Sequence, residues 1–321
     1  MNGRRALIGV VGLAVVAAGA VFWLYQRELA QARQAVARGS LIANLDVGPI
    51  EYAERGTGIP FLAIHGAGGG FDQGLAQAAE QVGEGYRVVA PSRFGYLRTP
   101  LPPDASPAAQ ADAHAALLAK LDIPRAIVLG VSAGARSAVE LAVRKPDRVS
   151  ALILIVPGTY SPTAPVSTEA DRGSRLVFWA IDVGGDFIWW ATEQVAPSLL
   201  IRFVGVPPKL VAAAPAAERE RVMSIVRAVE PLSRRFRGIG VDAAADLHEL
   251  PLGRITAPTL IVTARDDLFQ TLPRAEFAAA RIPGAKLVVY DTGGHLLVGH
   301  VQEVQAVVRT FLADARLTPQ R

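Results

Sequence analysis

Short apolar runs punctuate the chain at 61–64, 87–90, 126–129, 151–156, 259–262 and 286–290. Each is rich in β-branched residues and lacks polar alternation, the pattern of strands buried on both faces of a parallel sheet. Helical patterns lie between them, for example at 108–121 and 133–144, and the segment 100–107 reads as a loop. Strand and helix in alternation predict an α/β fold: a mostly parallel central sheet flanked by helices. The alternation breaks between Pro157 and Leu250, where prolines recur and three of the four tryptophans fall. That stretch reads as a helical cap over residues 158–250, inserted into a core formed by 41–157 and 251–321.

The N-terminus follows a different pattern. Arg4 and Arg5 precede an unbroken run of apolar and small residues at 6–25. As a helix it would be about 30 Å long, enough to cross the hydrocarbon layer of a bilayer. Trp23 and Tyr25 stand at its far end, where amphipathic rings favour the interface. We read 1–27 as a single-pass membrane anchor and the polar stretch 28–40 as a helical stalk. Two other readings compete. One is a cleaved signal peptide with Ala18-Gly19-Ala20 as the processing site; the other is a buried core helix. Cleavage there would leave Val21 to Tyr25 as an exposed apolar stub. Arginines flank the run on both sides, so orientation rests on the short N-terminal tail, which favours the outer face for the rest of the chain. Asp182, Asp186 and Glu193 interrupt the apolar part of the insertion and argue against a second span.

Composition narrows the classes. Of 321 residues 51% are hydrophobic and 19% charged, which suits a large core and argues against disorder. The net charge of +4 is mild, and no basic run interleaved with aromatics points to nucleic acid. The absence of cysteine excludes disulfides, cysteine nucleophiles and thiolate metal sites. Nothing in the sequence calls for a cofactor or a metal.

The strongest chemical signal is Gly130-Val131-Ser132-Ala133-Gly134, between a predicted strand and a predicted helix. A serine at such an elbow is held clear of the sheet, and its glycines let neighbouring chain approach closely. Its hydroxyl is a weak nucleophile and needs a base. His295, in Asp291-Thr292-Gly293-Gly294-His295, follows the last strand and so lies at the carboxyl edge where Ser132 sits. His300 falls at the final helix, and His114 and His248 read as solvated helix residues. The chain order serine, acid, histidine places a carboxylate after a late strand. Asp267 is the first choice and its neighbour Asp266 the second.

These motifs resemble the α/β-hydrolase superfamily: His65-Gly66 after an early strand, Gly-Val-Ser-Ala-Gly, a late aspartate and a terminal Gly-His. The resemblance covers about 41–315. It implies an oxyanion hole from the backbone amides of Ala67 and Ala133, with Gly68-Gly69-Gly70 keeping that loop close to substrate and His65 bracing it. One departure stands out: relatives often carry Asp-x-Arg-Gly-x-Gly after the fourth strand, and here Ser92 replaces the aspartate. A serine nucleophile sets the chain apart from the dehalogenase and epoxide hydrolase branches. The expected activity is hydrolysis of a carboxylic ester or related small acyl substrate through an acyl-enzyme. Phe178, Trp179, Trp189 and Trp190, with Phe187 and Ile188, are candidates for an apolar acyl pocket; the rival reading makes them the core of the insertion. The expected partner besides substrate is the lipid bilayer, through 6–25. Two other functions compete: a cofactorless perhydrolase or haloperoxidase on the same triad, and a non-catalytic binding protein.

Overall fold

The computed structural model describes residues 2–164 and 185–319. Each of the six apolar runs forms a strand: β3 (Ile59–Ile64), β4 (Tyr86–Pro91), β5 (Ala126–Val131), β6 (Val149–Ile155), β7 (Thr259–Ala264) and β8 (Lys286–Tyr290). They pair in parallel in the spatial order β4-β3-β5-β6-β7-β8. Two strands that the hydrophobic runs did not reveal complete an eight-stranded sheet. β1 (Leu41–Leu45) and β2 (Gly48–Arg55) form a hairpin, and β2 adds antiparallel to β4. Their pattern is weaker because β1 is an edge strand, exposed at Leu41 and Ile42.

Side chains alternate between the two faces of the sheet, as the period of two requires. One face sends Leu62, Ile64, Val128, Leu152 and Ile261 into a core closed by α3 (Pro107–Lys120), α4 (Gly134–Arg144) and α10 (Leu272–Arg281). The other sends Phe61, Ile127, Leu129, Ile153 and Val262 against α2 (Phe71–Gln81) and α11 (Val301–Asp314). Between β6 and β7 the chain leaves the sheet. Among the described residues this insertion holds α5 (Gly185–Val195), α6 (Pro197–Phe203), α7 (Pro208–Ala213), α8 (Ala216–Arg227) and α9 (Phe236–Ala244), and no strand.

The segments read as anchor and stalk form one continuous helix, α1 (Asn2–Ala37), which stops three residues short of the expected end of the stalk. From Leu7 onward it is long and apolar enough to cross a membrane, and its side chains from Leu7 to Leu24 are exposed. Its last third docks on the insertion instead. Tyr25 and Leu29 bury against Trp190, whose Nε1–H donates to Glu28 Oε2 at 2.6 Å, and Arg33 reaches Asp186 at 3.5 Å.

Candidate active site

β5 ends in the Gly-Val-Ser-Ala-Gly turn, and the chain reverses directly into α4. Ser132 sits at the reversal with φ 52°, in the left-handed region, which for a residue with a Cβ costs on the order of 1–2 kcal/mol. Packing and hydrogen bonds hold it there. Its amide donates to the Ile155 carbonyl at 2.9 Å, and its own carbonyl accepts from Gly158 and Ala135. The glycines are required by close approach: a Cβ on Gly134 would lie 2.4 Å from the His65 carbonyl oxygen, and one on Gly130 2.6 Å from Ala138. Gly66, in the loop after β3, comes so near that a Cβ there would stand 3.1 Å from Ser132 Cβ.

His295 lies in a short 3-10 turn after β8, and Asp267 in the turn after β7. The parallel order β5-β6-β7-β8 brings all three loops to the carboxyl edge of the sheet. His295 Nδ1 lies 2.8 Å from Asp267 Oδ2. Its Nδ1–H therefore donates to the carboxylate, which leaves Nε2 with a free lone pair. Asp267 is buried, which by itself raises a carboxyl pKa. The charge and hydrogen bond of His295, the Thr271 hydroxyl and the Phe269 amide outweigh this and hold it below the ordinary value. Thr271 donates its hydroxyl to Asp267 and so accepts from Thr263, 2.9 Å away at its own oxygen. Asp266 acts on the backbone instead, where its Oδ1 accepts the Gly294 amide at 2.8 Å and fixes the histidine turn. Among the described residues, Ser132 and His295 are not hydrogen-bonded to each other. Such contacts commonly tighten only when substrate binds.

The amide of Ala133 follows the serine and that of Ala67 follows Gly66, and among the described residues neither donates to a protein acceptor. The loop carrying Ala67 is braced from below. His65 is fully buried; its Nδ1–H donates to the Gly66 carbonyl at 2.7 Å and its Nε2 accepts the Arg93 amide at 2.9 Å. Burial, and then the nearby Arg93 charge, push its pKa well below the ordinary value, so it stays neutral. The Tyr96 hydroxyl accepts from the Gly68 amide at 3.3 Å and donates to Asp242 Oδ2. Asp242, on α9, also takes Arg93 in a bidentate pair at 2.7 Å and 2.7 Å. The insertion thus reaches the Ala67 loop through Asp242.

It reaches the histidine as well. The Gly205 carbonyl, just after α6, accepts from the amides of both His295 and Leu268 at 3.1 Å. Gly205 has φ +81°, and a Cβ there would meet His295 Cβ and the Phe269 ring at 2.6 Å, so glycine is required. Neither Asp242 nor Gly205 was anticipated from sequence; Arg93 and Tyr96 lay within a segment that was, but only as a departure from the family pattern. That departure has a structural answer. Ser92 Oγ accepts the Phe71 amide at the start of α2 and donates to Glu51 Oε2 at 2.9 Å, so Glu51 of β2 supplies a fully buried carboxylate there.

Other expected residues fall elsewhere. Trp189 packs in the core of the insertion, donating to the Val226 carbonyl, and Trp190 packs on α1. Phe187 and Ile188 are on the surface. Phe178 and Trp179 lie outside the described residues. His114 is not solvated as expected: it is buried in α3, 3.2 Å from Ser137 Oγ, and burial with the Arg93 charge lowers its pKa to about 3. His248 is exposed, but on a coil after α9 rather than on a helix. His300 precedes α11 and stacks on Tyr290. Among the described residues no cluster of histidine and carboxylate side chains is arranged to hold a metal.

Comparison with known proteins agrees with this architecture. The alpha/beta hydrolase family matches residues 61–310. An uncharacterized hydrolase of Bacillus subtilis, YcgS, is 28% identical over 78% of this chain and 90% of its own length. A 2-hydroxymuconate semialdehyde hydrolase of Pseudomonas putida is 27% identical over 82% of this chain and 90% of its own. Among solved structures, an alpha/beta hydrolase fold protein from Nakamurella multipartita aligns with TM-score 0.64 and 29% identity, covering 87% of this chain and 98% of its own. A bacterial membrane phospholipase A aligns with the same TM-score of 0.64 at 24% identity, over 98% of this chain and all of its own. That likeness in fold takes in the N-terminal helix.

Proposed function

The chain belongs to the alpha/beta hydrolase family, and from that premise we propose that it is a membrane-anchored serine hydrolase cleaving a carboxylic ester or related acyl bond. The observation that carries the reading is the buried Asp267–His295 pair at 2.8 Å, on the same carboxyl edge of the sheet as a left-handed Ser132 at a strand-to-helix elbow. His295 Nε2 takes the proton of Ser132 Oγ as the oxygen attacks the acyl carbonyl. Asp267 stabilises the imidazolium that forms and fixes its tautomer. The amides of Ala67 and Ala133 receive the developing oxyanion, a placement worth several kcal/mol in a site shielded from water. The imidazolium then protonates the leaving group, and water activated by the same histidine releases the acid. Helix α1 crosses a bilayer, with the hydrolase domain on its outer face.

The name of the Pseudomonas putida relative favours a second reading, hydrolysis of an unsaturated acid semialdehyde. A substrate that carries a carboxylate asks for a free cationic group. Arg93 and Arg235, the buried guanidiniums beside the oxyanion loop, are each held by a carboxylate, Asp242 and Asp72. That supports the neutral acyl substrate. A fluorophosphonate probe tests the proposal: the full chain in detergent should label, and Ser132→Ala should not. Equal labelling of Ser132→Ala would reject Ser132. A panel of short and long esters beside an unsaturated acid semialdehyde would separate the two substrate readings.

A further inference from the structure

The insertion exposes large apolar side chains on α5, the helix that meets α1, and on α6, which follows it. Phe187, Ile188, Val195, Leu199 and Phe203, on α5 and α6, are all exposed, Val195 at 83% and Leu199 at 60%. A run of exposed aliphatic and aromatic side chains on one pair of helices is unfavourable against water and marks an interaction surface. The exposed face continues directly from the membrane-crossing part of α1. Tyr25 packs edge-on against Phe187 with ring centres 5.1 Å apart. Trp23, whose ring lies 5.7 Å from the Arg27 guanidinium, marks where α1 leaves the hydrocarbon, and Tyr25 is only about 3 Å further along the helix axis. Phe187 is therefore held at the depth of the interfacial aromatics.

The same face runs on to the candidate site. Phe203 packs on Trp189 with ring centres 5.5 Å apart. Gly205 follows two residues later and abuts Phe269. Phe269 is half exposed, and its ring stands 4.7 Å from that of His295. Charge does not oppose contact with lipid. Glu193 is turned onto Arg227, and the exposed cation on α6 is Arg202, which suits anionic headgroups.

We propose that the exposed face of α5 and α6 lies in the same bilayer leaflet that α1 enters, and that the site draws its acyl substrate, a lipid ester, from that leaflet along the face toward Phe269. This rests on the anchored serine-hydrolase reading. Amphipathic helices held this way bury their apolar side to the depth of the headgroup–acyl boundary.

The chain has no cysteine, so single cysteines can be placed and spin-labelled in the full-length protein without background. Ile188→Cys, Leu199→Cys, Leu13→Cys and Lys120→Cys would be reconstituted in vesicles of phosphatidylcholine and phosphatidylglycerol. Collision with oxygen against a water-soluble nickel chelate reports depth. Labels at 13, 188 and 199 should sit in lipid and the label at 120 in water. Labels at 188 and 199 that are aqueous while 13 is in lipid would overturn the proposal and leave the anchor standing. A label at 199 shielded from both quenchers would mean that a protein surface covers the face, and would overturn it too. A label at 13 in water removes the anchor and the proposal together.

Turnover separates the substrate claim from general activity. The double variant Val195→Ser/Leu199→Ser should lose on the order of tenfold or more in hydrolysis of vesicle phospholipid, because two aliphatic contacts with the bilayer are gone. It should keep wild-type hydrolysis of a dissolved short-chain ester. Equal loss on both, or no loss on vesicles, would overturn the proposal. A wild type inactive on both substrates would instead refute the serine-hydrolase reading, while the label depths would still report on the face.

Discussion

Replacing Asp242 with alanine should be among the most damaging changes away from the proposed Ser132, Asp267 and His295 triad. The carboxylate is buried and neutralises Arg93, itself 6% exposed, through two hydrogen bonds, while accepting a third from Tyr96. Burial opposes its ionisation, but the charges of Arg93 and then Arg136 hold its pKa below the ordinary value. Asp242→Ala leaves a guanidinium in the interior without its counter-charge, which typically costs about 3–5 kcal/mol. In a domain of this size that corresponds to a fall in Tm of very roughly 6–20 °C. Chemical denaturation of the wild type and variant in the same detergent measures it. The double variant Arg93→Met/Asp242→Leu should recover part of the loss, because the Arg93 guanidinium is no longer buried without a partner, while Arg136, 4.0 Å from Asp242 Oδ1, still loses its counter-charge. Both should lower kcat more than they raise KM, since the Tyr96 hydroxyl holds Gly68 of the Ala67 loop and the Arg93 guanidinium donates to the His65 carbonyl beside it. A loss below about 1 kcal/mol in Asp242→Ala would refute the argument that this pair is desolvated and coupled.

Three more outcomes follow from the geometry. Asp267→Asn should lower kcat by a factor on the order of 10⁴ by favouring the wrong imidazole tautomer, with the fold retained. Asp266→Asn, which touches only the Gly294 amide, should cost far less on the same ester; the reverse ranking would mean the acid is misassigned. Gly205→Ala should depress kcat strongly, because its Cβ meets His295 and Phe269 on a backbone at φ +81°; near-wild-type turnover would contradict the close approach. Glu230→Gln should stabilise the protein in a pH-dependent way. Burial, and then the carboxylates of Glu193, Asp186 and Glu28, push Glu230 from 4.5 up to about 8. Between those values the folded state keeps a proton that the unfolded chain has lost, so stability falls as pH rises through that window. The gain in Tm from Glu230→Gln should therefore be small at pH 4.5 and largest above pH 8, and a gain independent of pH would contradict the assignment.

The parallel strands were legible because they are buried on both faces and read as unbroken apolar runs; β3 to β8 all appear where such runs were seen. β1 and β2 were not, because edge and antiparallel strands mix exposed with buried positions, as Leu41, Ile42 and Ala43 do within three residues. The elbow serine, the late aspartate and the terminal histidine were legible because each follows a recognisable strand on a short loop. Asp242 and Gly205 were hidden for the opposite reason. They lie in the helical insertion, with no strand to fix their position, and they act on residues far along the chain: Arg93 is 149 positions from Asp242. The tryptophans misled in part because aromatic density in an insertion serves packing as readily as binding; Trp189 and Trp190 close the insertion's core and its contact with α1. His114 misled because a helical face can turn inward, and α3 presents it to Ser137 of α4.

Acyl transfer through Ser132 is tested most directly by trapping the acyl-enzyme. The full-length protein would be mixed with an activated long-chain ester, quenched in acid within milliseconds, and digested for peptide mass analysis. A burst of leaving group approaching one equivalent per chain is expected, with the acyl mass on Ser132. Ser132→Ala should yield no acylated peptide. Steady turnover with the acyl mass on another residue, or undiminished turnover by Ser132→Ala, would contradict acyl transfer through Ser132.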